Sequence, residues 1–206
     1  MLIKLNGIIS TPSRVVSLRC PACRNIGSFH GLENIHDLRA DNRFLGQRVC
    51  PNLACRHHVF VVFESNADVI RSYPPQRLDF DSKAIPQRLV KTFEEALACH
   101  SERLYVGAAI MIRRTLEELC EDKAATGANL KARLGAIQSS VVLPQGLFDA
   151  LDELRLLGND AAHIEAKTYD SVGEDEVVVG IELTKEILKA VYQMDALLGR
   201  LRGLKK

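Results

Sequence analysis

The chain has 206 residues, of which 47% are hydrophobic and 5% aromatic, and it contains no tryptophan. This length suffices for one medium domain and a small module, and the scarcity of aromatic residues favours packed helices over a β-sandwich. The formal net charge of +1 excludes a strongly basic DNA-binding domain.

The sequence also argues against a membrane protein. The longest apolar run, YVGAAIMI, has eight residues, far below the roughly 20 that a transmembrane helix needs. Polar residues interrupt the N-terminus before a signal-peptide core can form. We therefore expect a cytoplasmic protein with reduced cysteines and no membrane partner.

Residues 1–70 are predicted to form a small β module. Four segments are typical of short strands between turns, and the last of them is rich in β-branched and aromatic residues; they are RVVSLRC, GSFHGLE, RFLGQRVC and HVFVVFE. Residues 1–66 hold eight Lys and Arg against four Asp and Glu. This excess is small, so it predicts at most a weak basic patch.

Residues 71–86 are predicted to be a linker, because the stretch from Ser72 to Pro86 holds three prolines and has no helical period. Residues 87–206 are predicted to form a helical bundle with short connections. The apolar periodicity and the Gly and Pro stops place its helices at 87–99, 102–123, 129–138, from Pro144 onward, and 176–201. The predicted fold class is α+β, a zinc-ribbon-like module followed by a mainly α bundle.

Two cysteine pairs predict a metal site in the N-terminal module. CPAC is followed after 26 residues by CPNLAC, so two short loops each present two thiols. Four thiolates suit a tetrahedral structural Zn²⁺, which replaces the core that so small a module cannot build. Free cysteines or a redox CxxC are the alternative, but the βαβ context that a redox motif needs is absent. The predicted ligands are Cys20, Cys23, Cys50 and Cys55.

Four other Cys and His residues are assigned to different roles. His57 and His58 lie close behind Cys55, and either is an alternative fourth ligand. Cys99 and Cys120 fall in predicted helices, where each is most simply a small core residue.

The stretch LDELRLLGNDAAHIEAK, residues 151–167, begins as an amphipathic helix and then carries polar residues. If the helix continues past Gly158, then Arg155, Asn159 and His163 spread over only about 80° of its surface. Asp160 lies about 60° from His163 on the same wheel and is a candidate to orient it. The alternative is that Gly158 ends the helix and the polar residues form an exit turn.

The segment IRRTLEEL adds two candidate basic residues, Arg113 and Arg114. Together with Glu117 and Glu118 they fit helix-surface ion pairs at i, i+3 and i+4 spacing. Arg113 lies nearer the apolar face, from where it could project toward the helix that bears His163. Arg113, Arg114 and Asp160 are therefore the candidate substrate-binding residues.

Three features together resemble a bacterial domain-of-unknown-function family related to the HEPN superfamily (higher eukaryotes and prokaryotes nucleotide-binding). They are RRTLEELCEDK at 113–123, LDELRLLGNDAAH at 151–163 and the long C-terminal helix, so the resemblance covers roughly residues 86–203. Some members carry a cysteine-paired N-terminal module. The resemblance implies a helical bundle that often dimerises through the helices that carry these motifs.

Many HEPN proteins are metal-independent ribonucleases in defence or toxin–antitoxin systems, and this resemblance implies catalytic roles here. His163 would exchange a proton with the ribose or the leaving oxygen. Arg155 would hold the phosphate, and Asn159 would position one of the two. However, Arg155 and His163 are more widely spaced than in that ribonuclease pattern, about 12 Å apart along a helix axis.

Three functions therefore stay open from the sequence, and the third is nucleotide or small-anion binding in the bundle by Arg113 or Arg114 with His163, which the absence of a Gly-rich phosphate loop disfavours. The first is a zinc-binding, HEPN-like protein that binds RNA and acts as an endoribonuclease in a bacterial defence or toxin-type system. The second is a non-catalytic, dimerising interaction module that recruits a nuclease or another defence partner, with the zinc module as the arm that binds RNA or protein.

Overall fold

The computed structural model describes residues 9–137, 141, 143–163, 165 and 172–204. The chain forms two compact units, Met1–Asp79 and Phe80–Lys206. The first unit is an antiparallel β-sheet and the second is helical, which confirms the predicted α+β class. None of the described helices combines the length and the apolar composition that a membrane crossing requires.

The sheet unit contains seven strands between residues 9 and 79, the part of it that the structure describes. The four predicted strands are present as β2, β3, β5 and β6, whereas three short strands were not predicted. The last strand occupies the beginning of the segment that was predicted to be a linker. The strands are β1 Ile9–Thr11, β2 Val16–Arg19, β3 Ile26–Gly31, β4 Asp37–Ala40, β5 Arg43–Val49, β6 His58–Glu64 and β7 Val69–Tyr73.

Strand β5 lies at the centre of the sheet. Along one edge it pairs with β4 at its beginning and with β3 at its end, and along the other edge it pairs with β6 over its whole length. β7 adds outside β6, β1 outside β4 and β2 outside β3. All of these pairings are antiparallel.

Successive side chains of each strand point to opposite faces of the sheet, and one of these faces is buried. Side chains that are opposite in register, such as Phe44 and Phe63, stack at 5.3 Å between ring centroids. The apolar cluster on this face is small, and two cysteines belong to it. Its members are Val16, Leu18, Cys20, Phe29, Phe44, Cys50, Val59, Val61 and Phe63.

The same buried face contains a complete ion pair. The Arg48 guanidinium donates to both carboxylate oxygens of Asp37, at 2.8 and 2.7 Å, and both side chains are 0% exposed. The backbone N–H of Arg14 donates to the same carboxylate at 2.9 Å. A Cβ at Gly46 would overlap the Asp37 carboxylate, so glycine leaves the room that the pair needs.

The helical unit begins where the sequence predicted. Its helices are α1 Gln87–Ser101, α2 Tyr105–Asp122, α3 Leu130–Ile137, α4 Gln145–Ala162, α5 Glu174–Leu188 and α6 Met194–Gly203. The sequence predicted one long last helix, and the structure has α5 and α6 joined by a π-helical turn, Lys189–Gln193. This turn shifts the face of the helix by one residue without a break in the chain direction.

Helix α2 is the centre of the helical unit and packs against α1, α3, α4 and α5. Its buried side includes two alanines beside larger aliphatic residues, so neighbouring helices approach closely at its N-terminal half. The residues that are 0% exposed are Ala108, Ala109, Ile112, Thr115, Leu119 and Cys120. The unit is therefore held by an extended apolar core.

Candidate functional site

Two chain turns bring four cysteines together at one end of the sheet unit. The backbone N–H of Cys20 donates to the oxygen of Asn25, and that of Cys50 donates to the oxygen of His57, both at 2.9 Å. Each turn closes on the residue after its second cysteine, Arg24 (φ 61°) or Arg56 (φ 49°), in the left-handed conformation. Both turns therefore present their thiols to the same point.

The four Sγ atoms lie within 4.8 Å of one another. Cys20 and Cys55 are 3.8 Å apart at sulfur, and Cys23 and Cys50 are 3.7 Å apart. These separations are too long for a disulfide bond, which is about 2.05 Å. The cluster can hold a metal ion, and its cysteine-only composition is consistent with zinc.

The thiols of the cluster differ in acidity because their surroundings differ. A hydrogen bond at the Asn25 backbone is the main cause that lowers the pKa of Cys23 to about 7. Burial is the main cause that raises the pKa of Cys50 to about 12. A cation bound between the thiols would favour the deprotonated form of each, so metal binding would release protons.

The neighbouring His and Cys residues are placed elsewhere. His58 lies on the exposed face of the sheet, where its Nδ1 is 2.9 Å from Nε2 of Gln47. Cys120 is buried in α2, and Cys99 is partly buried in α1. Among the described residues, the group with metal-binding geometry consists of the four predicted cysteines.

The exposed face of the sheet carries an aromatic pair that the sequence analysis did not single out. Phe60 on β6 and Tyr73 on β7 are opposite in register and are 58% and 48% exposed. On its other neighbour, β5, Phe60 is opposite Gln47 in register. Two residues along the strands on the same face, Val49 of β5 lies between His30 of β3 and His58 of β6. We call these six residues the aromatic face. None of them carries a carboxylate.

In the helical unit, α4 continues through Gly158 and ends at Ala162, so glycine does not end the helix. Arg155, Asn159 and Asp160 therefore lie in the last turns of the helix and not in an exit turn, and His163 is the first residue beyond it. Arg155 and Asn159 are partly buried, and His163 caps the helix and is exposed. The backbone N–H of His163 donates to the oxygen of Asn159 at 3.0 Å.

The Arg155 side chain is paired within its own helix. Its Nε donates to Oδ1 of Asp152 at 2.7 Å, and the Arg155 side chain is 17% exposed. This hydrogen bond is the main cause that lowers the pKa of Asp152, with a further contribution from Lys131. Arg155 therefore forms an ion pair with Asp152, three residues before it, and not a contact with His163 further along the chain.

Arg113 reaches α4 because Gly158 allows close packing. A Cβ at Gly158 would overlap the Cβ of Arg113 and lie 3.1 Å from the backbone oxygen of Ala109. Nη1 of Arg113 donates to the backbone oxygen of Arg155 at 3.4 Å, and its Nε pairs with Glu117 at 3.2 Å. Arg113 thus belongs to the α2–α4 contact.

Arg114 does not join this contact. Its Nε lies 3.5 Å from Glu118, a residue that is only 5% exposed. Glu118 also accepts a hydrogen bond from Thr92 of α1 at 2.8 Å and lies 3.4 Å from Arg88. The sequence pattern showed Glu118 only as a surface partner, because nothing in it indicates which glutamate faces α1. Asp160, the remaining candidate, is partly buried.

Comparison with known proteins gives the family. Residues 94–204 match the model described as a domain of unknown function, DUF4145. The match covers more than half of the chain and includes both segments on which the sequence resemblance was based. The chain belongs to the DUF4145 family. No curated protein and no solved structure matches it.

Proposed function

We propose that this protein is a zinc-stabilised, HEPN-related RNA-binding protein of a bacterial defence or toxin-type system, and that it binds RNA without cleaving it. The sheet unit provides the contact with single-stranded RNA. The helical unit provides a dimer that presents two such sheets. Recruitment of a nuclease or another defence partner then follows from RNA binding.

The sulfur geometry supports zinc as the metal. Four sulfurs at about 2.3 Å from a tetrahedral Zn²⁺ lie about 3.8 Å from one another. The Cys20–Cys55 and Cys23–Cys50 separations are 3.8 and 3.7 Å. A site closed by four thiolates leaves no open position for a reacting water, so the metal is structural.

The aromatic face is the observation that carries RNA binding. Exposed aromatic rings stack on unpaired bases, and each such contact contributes about 1–3 kcal/mol. Gln47 and the imidazoles of His30 and His58 offer hydrogen bonds to base edges on the same face. The absence of carboxylates among these residues removes a source of repulsion toward phosphate.

The geometry of α4 favours binding over catalysis. Arg155 is held by Asp152, and only 17% of its side chain is exposed. His163 lies two turns further along, about 12 Å by helix rise. One phosphate is therefore a poor fit for simultaneous contact with both side chains of one chain, as the ribonuclease assignment requires.

The second candidate is an endoribonuclease with His163 as the proton-transfer group and Arg155 and Asn159 from the same stripe. One observation favours it: His163 is exposed at the C-cap of α4, one residue beyond the end of the helix. An endoribonuclease of this kind would need an arginine from a second chain to hold the phosphate beside His163.

The test measures RNA binding and cleavage in one preparation. Fluorescein-labelled single-stranded RNA is titrated with wild type, Phe60→Ala/Tyr73→Ala and the control Leu53→Ala, whose residue is 83% exposed and lies outside the aromatic face. Loss of two stacking contacts should weaken binding at least roughly tenfold, while the control binds as wild type. Equal affinity in all three proteins, or no binding, would refute the proposal.

Cleavage is followed on the same RNA without added magnesium and without a strong chelator. We expect no cleavage by wild type or by His163→Ala. Cleavage by wild type that is lost in His163→Ala would instead establish the endoribonuclease.

A further inference from the structure

Helix α6 exposes nearly all of its large apolar side chains. They recur at i, i+3, i+4 and i+7, so they form one stripe along the helix. A contiguous exposed apolar stripe of this kind is typical of a surface that another protein element covers. The exposed fractions are 51% for Met194, 52% for Leu197, 42% for Leu198, 62% for Leu201 and 80% for Leu204.

A groove of matching character lies between α4 and α5. It has a volume of about 320 Å³, and its walls are mainly aliphatic, with Leu154, Leu157 and Val179 among them. Val179 is 58% exposed. Gly180 forms the floor, where an added Cβ would lie 3.1 Å from Leu157. The groove can therefore accept a row of aliphatic side chains.

The charges at the two surfaces are opposite. The groove is lined by three carboxylates, Glu153, Asp175 and Glu176, and none of its lining residues is basic. In α6, Arg200 and Arg202 lie about 100° to either side of the apolar stripe. A helix that inserts its stripe into the groove would thus bring an arginine to each acidic rim.

The occupant cannot be α6 of the same chain. The chain passes from α5 through the π-helical turn Lys189–Gln193 into α6 without a loop. From Val179 to Leu198 this run rises about 28 Å at 1.5 Å per residue. A straight run of this kind carries α6 away from the groove that its own α5 forms.

We propose that α6 of one copy docks into the α4–α5 groove of a second copy, and that the second copy does the same in return. Antiparallel alignment of the two α5–α6 runs about a two-fold axis forms both contacts together and closes the dimer. This inference rests on the dimer of the proposed function and names its surface.

Charge reversal tests the contact in the full-length protein. The first variant, Arg200→Glu/Arg202→Glu, makes α6 acidic, and the second, Glu153→Lys/Asp175→Lys, makes the groove basic. In the homodimer of either variant, α6 and the groove that it enters carry charges of the same sign. The dimer dissociation constant should therefore rise at least roughly tenfold. An equimolar mixture should recover the dimer, since both contacts are complementary in the heterodimer.

Sedimentation velocity over a concentration series gives the dissociation constants, and circular dichroism checks that each variant is folded. The control Lys91→Glu/Arg103→Glu reverses two exposed charges outside both surfaces and should dimerise as wild type.

The remaining outcomes overturn the inference in distinguishable ways. A wild type that stays monomeric removes the proposed dimer and this surface together. A groove variant that dimerises as wild type removes the groove contact only, and it would indicate direct pairing of two α6 helices. Two weakened variants that do not associate when mixed would remove the charge complementarity.

Discussion

The two units of this chain are stabilised in different ways. In the sheet unit, the buried cluster has nine members, two of them cysteines, and an ion pair occupies the same face. In the helical unit, α2 is surrounded by α1, α3, α4 and α5 in an apolar core. A small sheet cannot bury enough apolar surface for its stability, whereas a bundle of this size can.

This difference predicts how substitutions change the stability of each unit. The sheet unit depends on a few strong and specific interactions, so a single substitution can remove most of its stability. The helical unit depends on many weak contacts, so single substitutions should cause smaller losses that follow the local packing. The following substitutions test this contrast.

Cys50→Ser should have the largest effect. It removes one of the four sulfur ligands of the proposed zinc site, and structural zinc contributes about 10–16 kcal/mol in small zinc modules at neutral pH. We expect loss of bound zinc and unfolding of the sheet unit, with the helical unit still folded. Metal analysis and hydrogen exchange of β5 and β6 measure this, and Cys99→Ser is the control outside the cluster. Retention of one zinc with protected strands would contradict the prediction.

Arg48→Met should cost about 3–5 kcal/mol, because it leaves the Asp37 carboxylate buried without its partner. Arg48→Met/Asp37→Leu should lose much less, since no buried charge remains. Hydrogen exchange in urea, followed on the sheet amides of the whole protein, gives both values. If the double variant is as unstable as the single one, the pair contributes through shape and not through charge.

Gly158→Ala should cost about 1–3 kcal/mol in the helical unit, because the added methyl group overlaps Arg113 and forces α2 and α4 apart. Gly135→Ala is the matched control: no atom lies within 4 Å of its added Cβ, and it should gain up to about 1 kcal/mol in helix propensity. Urea unfolding monitored at the helices compares the two. A stabilised Gly158→Ala variant would mean that the α2–α4 contact is loose.

The cysteine spacing was the strongest signal in the sequence, and the structure brings the four predicted thiols together. Four strands with alternating or β-branched residues were also predicted, whereas β1, β4 and β7 were not. These three strands have three to five residues each, too few for a period of two to be recognised. β4 pairs with β5, β7 with β6, and β1 with β4, so the sequence of each strand alone does not show its partner.

For the polar residues of α4, the sequence predicted less and the structure decided more. The spacing of Arg155, Asn159 and His163 placed them on one face, but the sequence left open whether Gly158 ends the helix. The structure resolves this, since Gly158 is the point at which Arg113 and α2 approach α4. A glycine that ends a helix and one that admits a neighbouring helix look the same in a single sequence.

The sequence by itself determined the order of the two units, the four cysteines and the helical periodicity, because these depend on residues that are close along the chain. Only the tertiary structure decided that Arg155 pairs with Asp152, that Glu118 is buried against α1, and that Phe60 meets Tyr73 on an exposed face. It also decided that the apolar side chains of α6 are exposed and that the groove between α4 and α5 is lined by carboxylates. Such features depend on which surfaces meet, and burial and partner choice are set by packing between distant segments.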